Sequence, residues 1–149
     1  MDVILIAAVT HDGFIARHSN EIITWSKDLH LFKKQTSGHT VIMGSNTFNC
    51  MEKELGNREI IVFHRNNDPG EMIEKITSKK CFIAGGGVTN KIFYRYLTHL
   101  YITPHPLIFG TGIRLFEDKI KEPKLLLENI IVVNRNENIF QYQYKVLRN

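Results

Sequence analysis

The sequence predicts an α/β fold: a single domain with a mainly parallel central sheet flanked by helices, closed by a C-terminal antiparallel hairpin. Three observations carry this. Continuous β-rich apolar runs such as Val3-Ile4-Leu5-Ile6-Ala7-Ala8-Val9 read as strands buried on both faces. Strand and helix signals then alternate to about Tyr96. Beyond Leu100 the helical signals stop, and two strands flank the turn Asn134-Arg135-Asn136-Glu137-Asn138.

Taken in order, Val3 to Val9 is the first strand, and Thr10-His11-Asp12-Gly13 is a turn opening a polar loop to about Thr24. Ser26 is placed to N-cap a helix carrying Leu29 and Phe32 on one side and ending near Ser37-Gly38. Thr40 to Gly44 is a second buried strand, a helix follows from Asn46-Thr47, and Leu55-Gly56-Asn57 is a loop before the strand Glu59 to Phe63. A turn at Asn66 to Gly70 leads to a short helix, Glu71 to Ser78. The strand Cys81 to Ala84, the triplet Gly85-Gly86-Gly87 and a helix from Val88 to Tyr96 come next. Leu100 to Phe109, Leu125 to Val133 and Ile139 to Val146 are the last strands.

The 149 residues fit one domain, expected over 1–149, and 43% apolar residues suffice for one core. The first apolar run is too short to span a bilayer, and no cleavable leader surrounds it, so a cytoplasmic protein without membrane partners is expected. A net charge of +4 arises from basic residues interleaved with acids, which is no nucleic-acid footprint but leaves local positive potential for small anions. Cys50 and Cys81 form neither a metal-ligand spacing nor a disulfide framework and are expected to be buried thiols. No metal site is expected.

Asp28 falls in the first turn of its predicted helix, between Trp25 and the apolar Leu29 and Phe32. Two readings fit: a carboxylate complementing the helix dipole, or one at the mouth of an apolar cleft, with a raised pKa, binding the amidine-like edge of a heterocycle. The triplet Gly85-Gly86-Gly87 and the turn Gly44-Ser45-Asn46-Thr47 each join a strand to a helix. Either they are tight turns, or they bring free N–H groups to a phosphate-rich ligand lying across neighbouring strand ends. Arg58 and Arg65 flank one strand, with His64 beside the second. Besides surface charge, they suit a carboxylate and a phosphate respectively. Trp25 reads as core or ligand contact, and Gly110-Thr111-Gly112 as a turn or a phosphate contact.

Together these pieces resemble dihydrofolate reductase over most of the chain up to about Thr103. Leu5 to Val9 with Asp12-Gly13-Phe14-Ile15 is similar to the family's first strand and mobile active-site loop. Asp28-Leu29-His30-Leu31-Phe32-Lys33, Thr36 and Val41-Ile42-Met43-Gly44 with Thr47-Phe48 resemble its D-L-x-x-F-K, T and V-I-M-G-R-x-T pattern. Leu55, Arg58, Ile61-Val62 and Arg65 follow its next segment. Ile83-Ala84-Gly85-Gly86-Gly87 with Leu100-Tyr101-Ile102-Thr103 resembles its I-G-G and L-Y-x-T pair. The resemblance implies NADPH-dependent reduction of dihydrofolate to tetrahydrofolate, with NADPH and dihydrofolate as partners and a monomer or homodimer as assembly. It implies catalytic roles for Asp28, Thr103 and Trp25, and a substrate pocket of Ile6, Ala7, Leu29, Phe32, Met51 and Leu55, with Arg58 for the glutamate carboxylate. It implies cofactor contacts at Ala8, Ile15, Gly44, Ser45, Asn46, Thr47, His64, Arg65, Ala84, Gly85, Gly86, Gly87, Val88 and Thr89, and a cis Gly85-Gly86 bond.

The chain also departs from the family pattern. Ser45 and Val88 stand where arginines often meet phosphates, so NADPH preference rests on Arg65 and His64. Asn90 replaces a usual tyrosine, and only 19 residues separate Arg65 from Gly85. Pro106-Leu107-Ile108-Phe109-Gly110-Thr111-Gly112-Ile113-Arg114-Leu115-Phe116 resembles the P-x-x-x-G-x-G-x-x-L-F of riboflavin-pathway pyrimidine reductases. Two alternatives follow: reduction of a ribosylaminopyrimidine phosphate held by Arg114 or the Gly110-Thr111-Gly112 turn, or a non-catalytic nucleotide- or pterin-binding protein of the same fold.

Overall fold

A computed structural model describes residues 1–56 and 58–148; Asn57, read above as part of a loop, lies outside them. The nine strands described are β1 (Asp2–Thr10), β2 (Phe14–Ala16), β3 (Thr40–Gly44), β4 (Glu59–Phe63), β5 (Lys80–Ile83), β6 (His99–His105), β7 (Ile113–Arg114), β8 (Lys124–Asn134) and β9 (Ile139–Leu147). The α-helices are α1 (Leu29–Thr36), α2 (Ser45–Met51), α3 (Pro69–Glu74) and α4 (Gly87–Phe93), with 3-10 turns at Glu52–Glu54 and Tyr94–Tyr96. Seven strands form one sheet in the order β4-β3-β5-β1-β6-β9-β8; β2 and β7 form a separate pair. The five strands from β4 to β6 run parallel, and β9 and β8 are antiparallel, as the sequence predicts.

Strand periodicity explains why the apolar runs are unbroken. Successive side chains of β1 point to opposite faces, so Val3 and Leu5 enter one cluster with Ile42, Ile83 and Phe93, while Ile4 and Ile6 enter another with Phe32, Val41, Met43 and Phe82. The first cluster is covered by residues of α3 and α4, the second by α1 and α2. The chain therefore leaves β1 towards one face of the sheet and leaves the adjacent β5 towards the other. This divergence opens a crevice at their carboxyl ends, where open α/β sheets bind ligands.

Several boundaries differ from the sequence reading. Helix α1 starts at Leu29 with Asp28, not Ser26, at the cap, and the Asp28 side chain makes no capping bond. Helix α3 begins earlier, because Asp68 accepts from the Glu71 N–H and Pro69 fills the first helical position, and it ends at Glu74 rather than Ser78. Strand β6 ends at His105, just before Pro106, not at Phe109. Strands β2 and β7 have no periodicity long enough to be visible in sequence. Cys81 is buried, and burial pushes its thiol up to about 12, whereas Cys50 is only half-buried. No helix among the described residues is long and apolar enough to cross a membrane.

Candidate active site

The carboxyl ends of β4, β3, β5 and β1 lie side by side and bring the predicted phosphate-binding residues to one edge. His64 and Arg65 are exposed after β4, Ser45 and Asn46 after β3, and Val88 after β5, while Thr47 is half-buried. The two strand-to-helix turns hold each other. Gly44 N–H donates to Gly85 O at 2.9 Å, and a side chain on Gly44 would sit 2.8 Å from Thr89 Oγ1. Gly85 takes φ +92, and the Gly85-Gly86 bond is cis, as the resemblance implies.

The triplet is less available to a ligand than its sequence implies. Gly85 N–H is already bonded to Asn90 Oδ1 at 3.0 Å, and a Cβ on Gly87 would lie 2.5 Å from Arg114 O. Thr89 is 6% exposed behind Gly44. Gly86, Thr47 and Ser45 are left as the accessible part of the cradle. Ala7 and Ala8 are half-buried on β1 beside it, as is Ala84 after β5.

Across the crevice Asp28 is 7% exposed. Burial drives its pKa above the usual carboxylate value, and the polar groups around it, Ser26 among them, pull the other way without overcoming it. The sequence had Ser26 capping the helix; its hydroxyl acts on Asp28 instead. Thr103 is fully buried, and its Oγ1 stands near Asp28 without completing a hydrogen bond to any group. Trp25 Nε1 is also buried without a partner. Two of the three such side-chain atoms among the described residues therefore belong to this corner, the pattern of a site built for a polar ligand.

The other residues that the resemblance assigns to a substrate pocket differ in burial and in the face of the sheet they occupy. Ile6, Phe32 and Leu55 are buried in one cluster, Met51 packs against it, and Leu29 is 36% exposed. Ala7 packs into the cluster on the opposite face of the sheet. Arg58 lies at the far end of β4 from Arg65. Its Nε donates to Thr36 Oγ1 at 2.8 Å, one terminal nitrogen to Leu55 O at 2.9 Å, and the other to Lys33 O. Of the five N–H donors of a guanidinium, one on each terminal nitrogen has no partner among the described residues, enough for one carboxylate.

The sequence matches a family model for dihydrofolate reductase over residues 2–105. The chain belongs to the dihydrofolate reductase family. A curated dihydrofolate reductase from Bacillus subtilis (strain 168) is 33% identical over 88 residues, which is 51% of this chain and 52% of that protein. The match thus spans about half the length of that relative. Among solved structures, a dihydrofolate reductase from Enterococcus faecalis complexed with NADP(H) and RAB-propyl superposes with a TM-score of 0.77 at 23% identity, covering 99% of this chain and 97% of that one. A protein ascribed to riboflavin biosynthesis from Shewanella sp. PV-4 superposes at 0.66 and 18% identity, covering 99% and 100%. At these identities both show the shared fold.

Within this family framework, the segment after β6 has a role the sequence did not reveal. The loop from Asp12 to Thr24, likened above to the family's mobile active-site loop, is joined to this segment through its first half. His11 N–H donates to Leu107 O at 2.8 Å and Leu115 N–H to Gly13 O at 3.3 Å, and β2 pairs with β7. The Asp12 carboxylate accepts from the Thr10 hydroxyl at 2.6 Å, Gly110 N–H at 2.8 Å and Phe109 N–H at 3.2 Å. The Thr10 hydroxyl above all, and then the two amides, hold Asp12 below the usual carboxylate value. The stretch from Arg17 to Asp28 forms neither strand nor helix.

Gly112 explains its own place in the motif. At φ +147, its Cα is so close to Ala16 that a Cβ would sit 2.4 Å from the Ala16 carbonyl oxygen. Asn90, 1% exposed, joins this strap to the glycine turn by accepting from Gly85 N–H and donating to Leu115 O at 2.9 Å. Sequence reasoning treated Asn90 only as a substitution and passed over His105. The signal for His105 was its position two residues after Thr103, which puts both on one face of a strand.

Proposed function

We propose that the chain reduces 7,8-dihydrofolate to 5,6,7,8-tetrahydrofolate, transferring hydride from NADPH to C6 with protonation at N5. The observation carrying this is a buried carboxyl, Asp28, with a raised pKa beside the unpartnered Thr103 hydroxyl, which β6 carries next to Ala8 of β1. A carboxylate there accepts two parallel N–H bonds from the 2-amino group and N3 of a pterin. The threonine hydroxyl completes the pairing to the same edge. Ile6, Phe32 and Met51 supply apolar walls for flat rings, and the free N–H pair of Arg58 meets the glutamate carboxylate.

The exposed edge fits NADPH in chemistry: hydroxyls from Ser45 and Thr47, a side-chain-free Gly86 and the cations His64 and Arg65 suit phosphates. Ala7 and Ala8, on opposite faces of β1, and Ile15 are the small apolar residues that would meet a nicotinamide ring. When bound, NADPH supplies the hydride. Asp28, held with a raised pKa, keeps the pterin oriented and polarises the water that delivers a proton to N5. Phe14–Ala16, fixed by β7, walls off solvent from the hydride path.

The pyrimidine-phosphate alternative is less well supported. Arg114 is exposed and borders a cavity of about 360 Å³ together with Asp12 and Asp118, two carboxylates that repel phosphate. Gly112 is committed to packing against Ala16. The deciding experiment follows NADPH oxidation by absorbance with dihydrofolate and, separately, with 5-amino-6-ribosylaminouracil phosphate. Turnover with dihydrofolate alone is expected. Turnover only with the pyrimidine overturns the proposal, and binding of NADPH without oxidation by either substrate points to the non-catalytic reading.

A further inference from the structure

His105 is 2% exposed, yet neither of its ring nitrogens is idle. Nε2 accepts the Lys27 backbone N–H at 2.9 Å, so it carries no proton; Nδ1 then carries the proton and donates it to Thr103 O at 2.8 Å. The two bonds fix a neutral tautomer and its orientation at once. The Trp25 indole packs edge-on against the ring with centroids 5.3 Å apart, and Phe109 packs on Trp25 in turn at 5.4 Å. The other titratable groups around it are Asp28 and, across a cavity of about 200 Å³, His11 and Glu137.

What these contacts join is informative. Lys27 immediately precedes Asp28 and belongs to the stretch with no strand or helix of its own. Thr103 lies on β6, registered on β1 at Ala8. Helix α1 holds the backbone of Asp28, through Phe32 N–H to Asp28 O at 2.9 Å, but its side chain makes no capping bond that would orient the carboxyl. The imidazole therefore ties the irregular segment that presents the carboxyl to the rigid strand that presents the hydroxyl.

We propose that His105 is a positioning residue for the reaction: by bonding Lys27 on one side and Thr103 on the other, it sets the Asp28 carboxyl against the Thr103 hydroxyl. This rests on the reading of Asp28 and Thr103 as the substrate-binding pair. A side chain that only filled space would need the ring and not its nitrogens. His105→Phe keeps an aromatic face for Trp25 but leaves the Lys27 N–H and Thr103 C=O unpartnered. Gln reaches the Nε2 position and restores an acceptor for Lys27; Asn reaches only the Nδ1 position.

The test compares the three variants with the wild-type chain. Turnover with NADPH and dihydrofolate is measured, together with the titration of Asp28 by NMR of ¹³C-labelled aspartate carboxyls. His105→Phe is expected to lose about 10- to 100-fold in kcat with the KM for NADPH unchanged, and to move the Asp28 midpoint. His105→Gln is expected to stay within about threefold of wild type with its midpoint in place, and His105→Asn to behave like Phe. Wild-type kcat and midpoint in the Phe variant overturn the proposal, as does an equal loss in Gln and Asn. If Phe does not fold, the Gln and Asn pair decides alone. Failure of the functional reading is recognised separately, by a wild-type chain that does not turn over dihydrofolate. The Asp28 midpoints still judge the positioning role in that case.

Discussion

Replacing Asn90 with alanine tests whether the glycine turn and the segment after β6 are one mechanical unit. The Asn90 side chain, 1% exposed, accepts from Gly85 N–H at 3.0 Å and donates to Leu115 O at 2.9 Å. Truncation leaves a backbone donor and a backbone acceptor without their partner in a place water reaches poorly. Each such loss costs about 1–2 kcal/mol, so the pair costs about 2–4 kcal/mol. An unfolding entropy of about 2.1 cal/mol/K per residue gives about 0.3 kcal/mol/K for 149 residues. The expected fall in Tm is therefore about 6–12 °C, read by calorimetry or thermal circular dichroism. Because Gly85 also shapes the edge assigned to the cofactor, the KM for NADPH should rise several-fold while that for dihydrofolate holds. A Tm within about 2 °C of wild type refutes the reasoning, since two buried bonds of this geometry cannot vanish so cheaply.

Three other expectations follow from the same geometry. Asp28→Asn should cut turnover by about 10²- to 10⁴-fold with NADPH affinity nearly intact, measured by steady-state kinetics and cofactor titration. Its effect on stability depends on pH. Because burial raises the Asp28 pKa in the folded state, folding favours the protonated acid, and the penalty appears as pH rises through the folded pKa. The Asn variant should melt higher than wild type at neutral pH and lose that advantage below the ordinary carboxylate value; equal melting at neutral pH contradicts the assignment. Gly112→Ala, meeting Ala16 O at 2.4 Å with φ +147, should destabilise by about 2–4 kcal/mol and loosen the pairing of β2 with β7. Amide exchange at Phe14 to Ala16 reports it, and unchanged protection there argues against a strap. Arg58→Ala should raise the KM for dihydrofolate about tenfold or more but leave that for a tail-less dihydropterin within about twofold, unless the guanidinium serves only Thr36, Leu55 and Lys33.

Much of this was legible in the linear chain. The unbroken apolar runs at Val3 to Val9 and Thr40 to Gly44 fixed a parallel sheet covered on both faces, because only such strands bury every side chain. The resemblance carried by Asp28 with Phe32 and by Gly85 with Thr103 pointed to the candidate site, whereas the local pattern alone left Asp28 open between a helix-dipole role and a ligand-binding one. Short elements were hidden for the opposite reason. Strand β7 has two residues and β2 three, too few for any period, and they exist only because each pairs with the other.

The sequence by itself therefore determined the layers of the fold, the glycine turns and Asp28 as the acid to watch. Tertiary structure decided what surrounds that acid. The groups beside it include Thr103 and His105, far along the chain, the bond from Lys27 to His105 spans 78 positions, and Gly112 is a glycine because Ala16 passes over it. Contacts of this kind depend on where the sheet carries two segments, and no local pattern of residues records it.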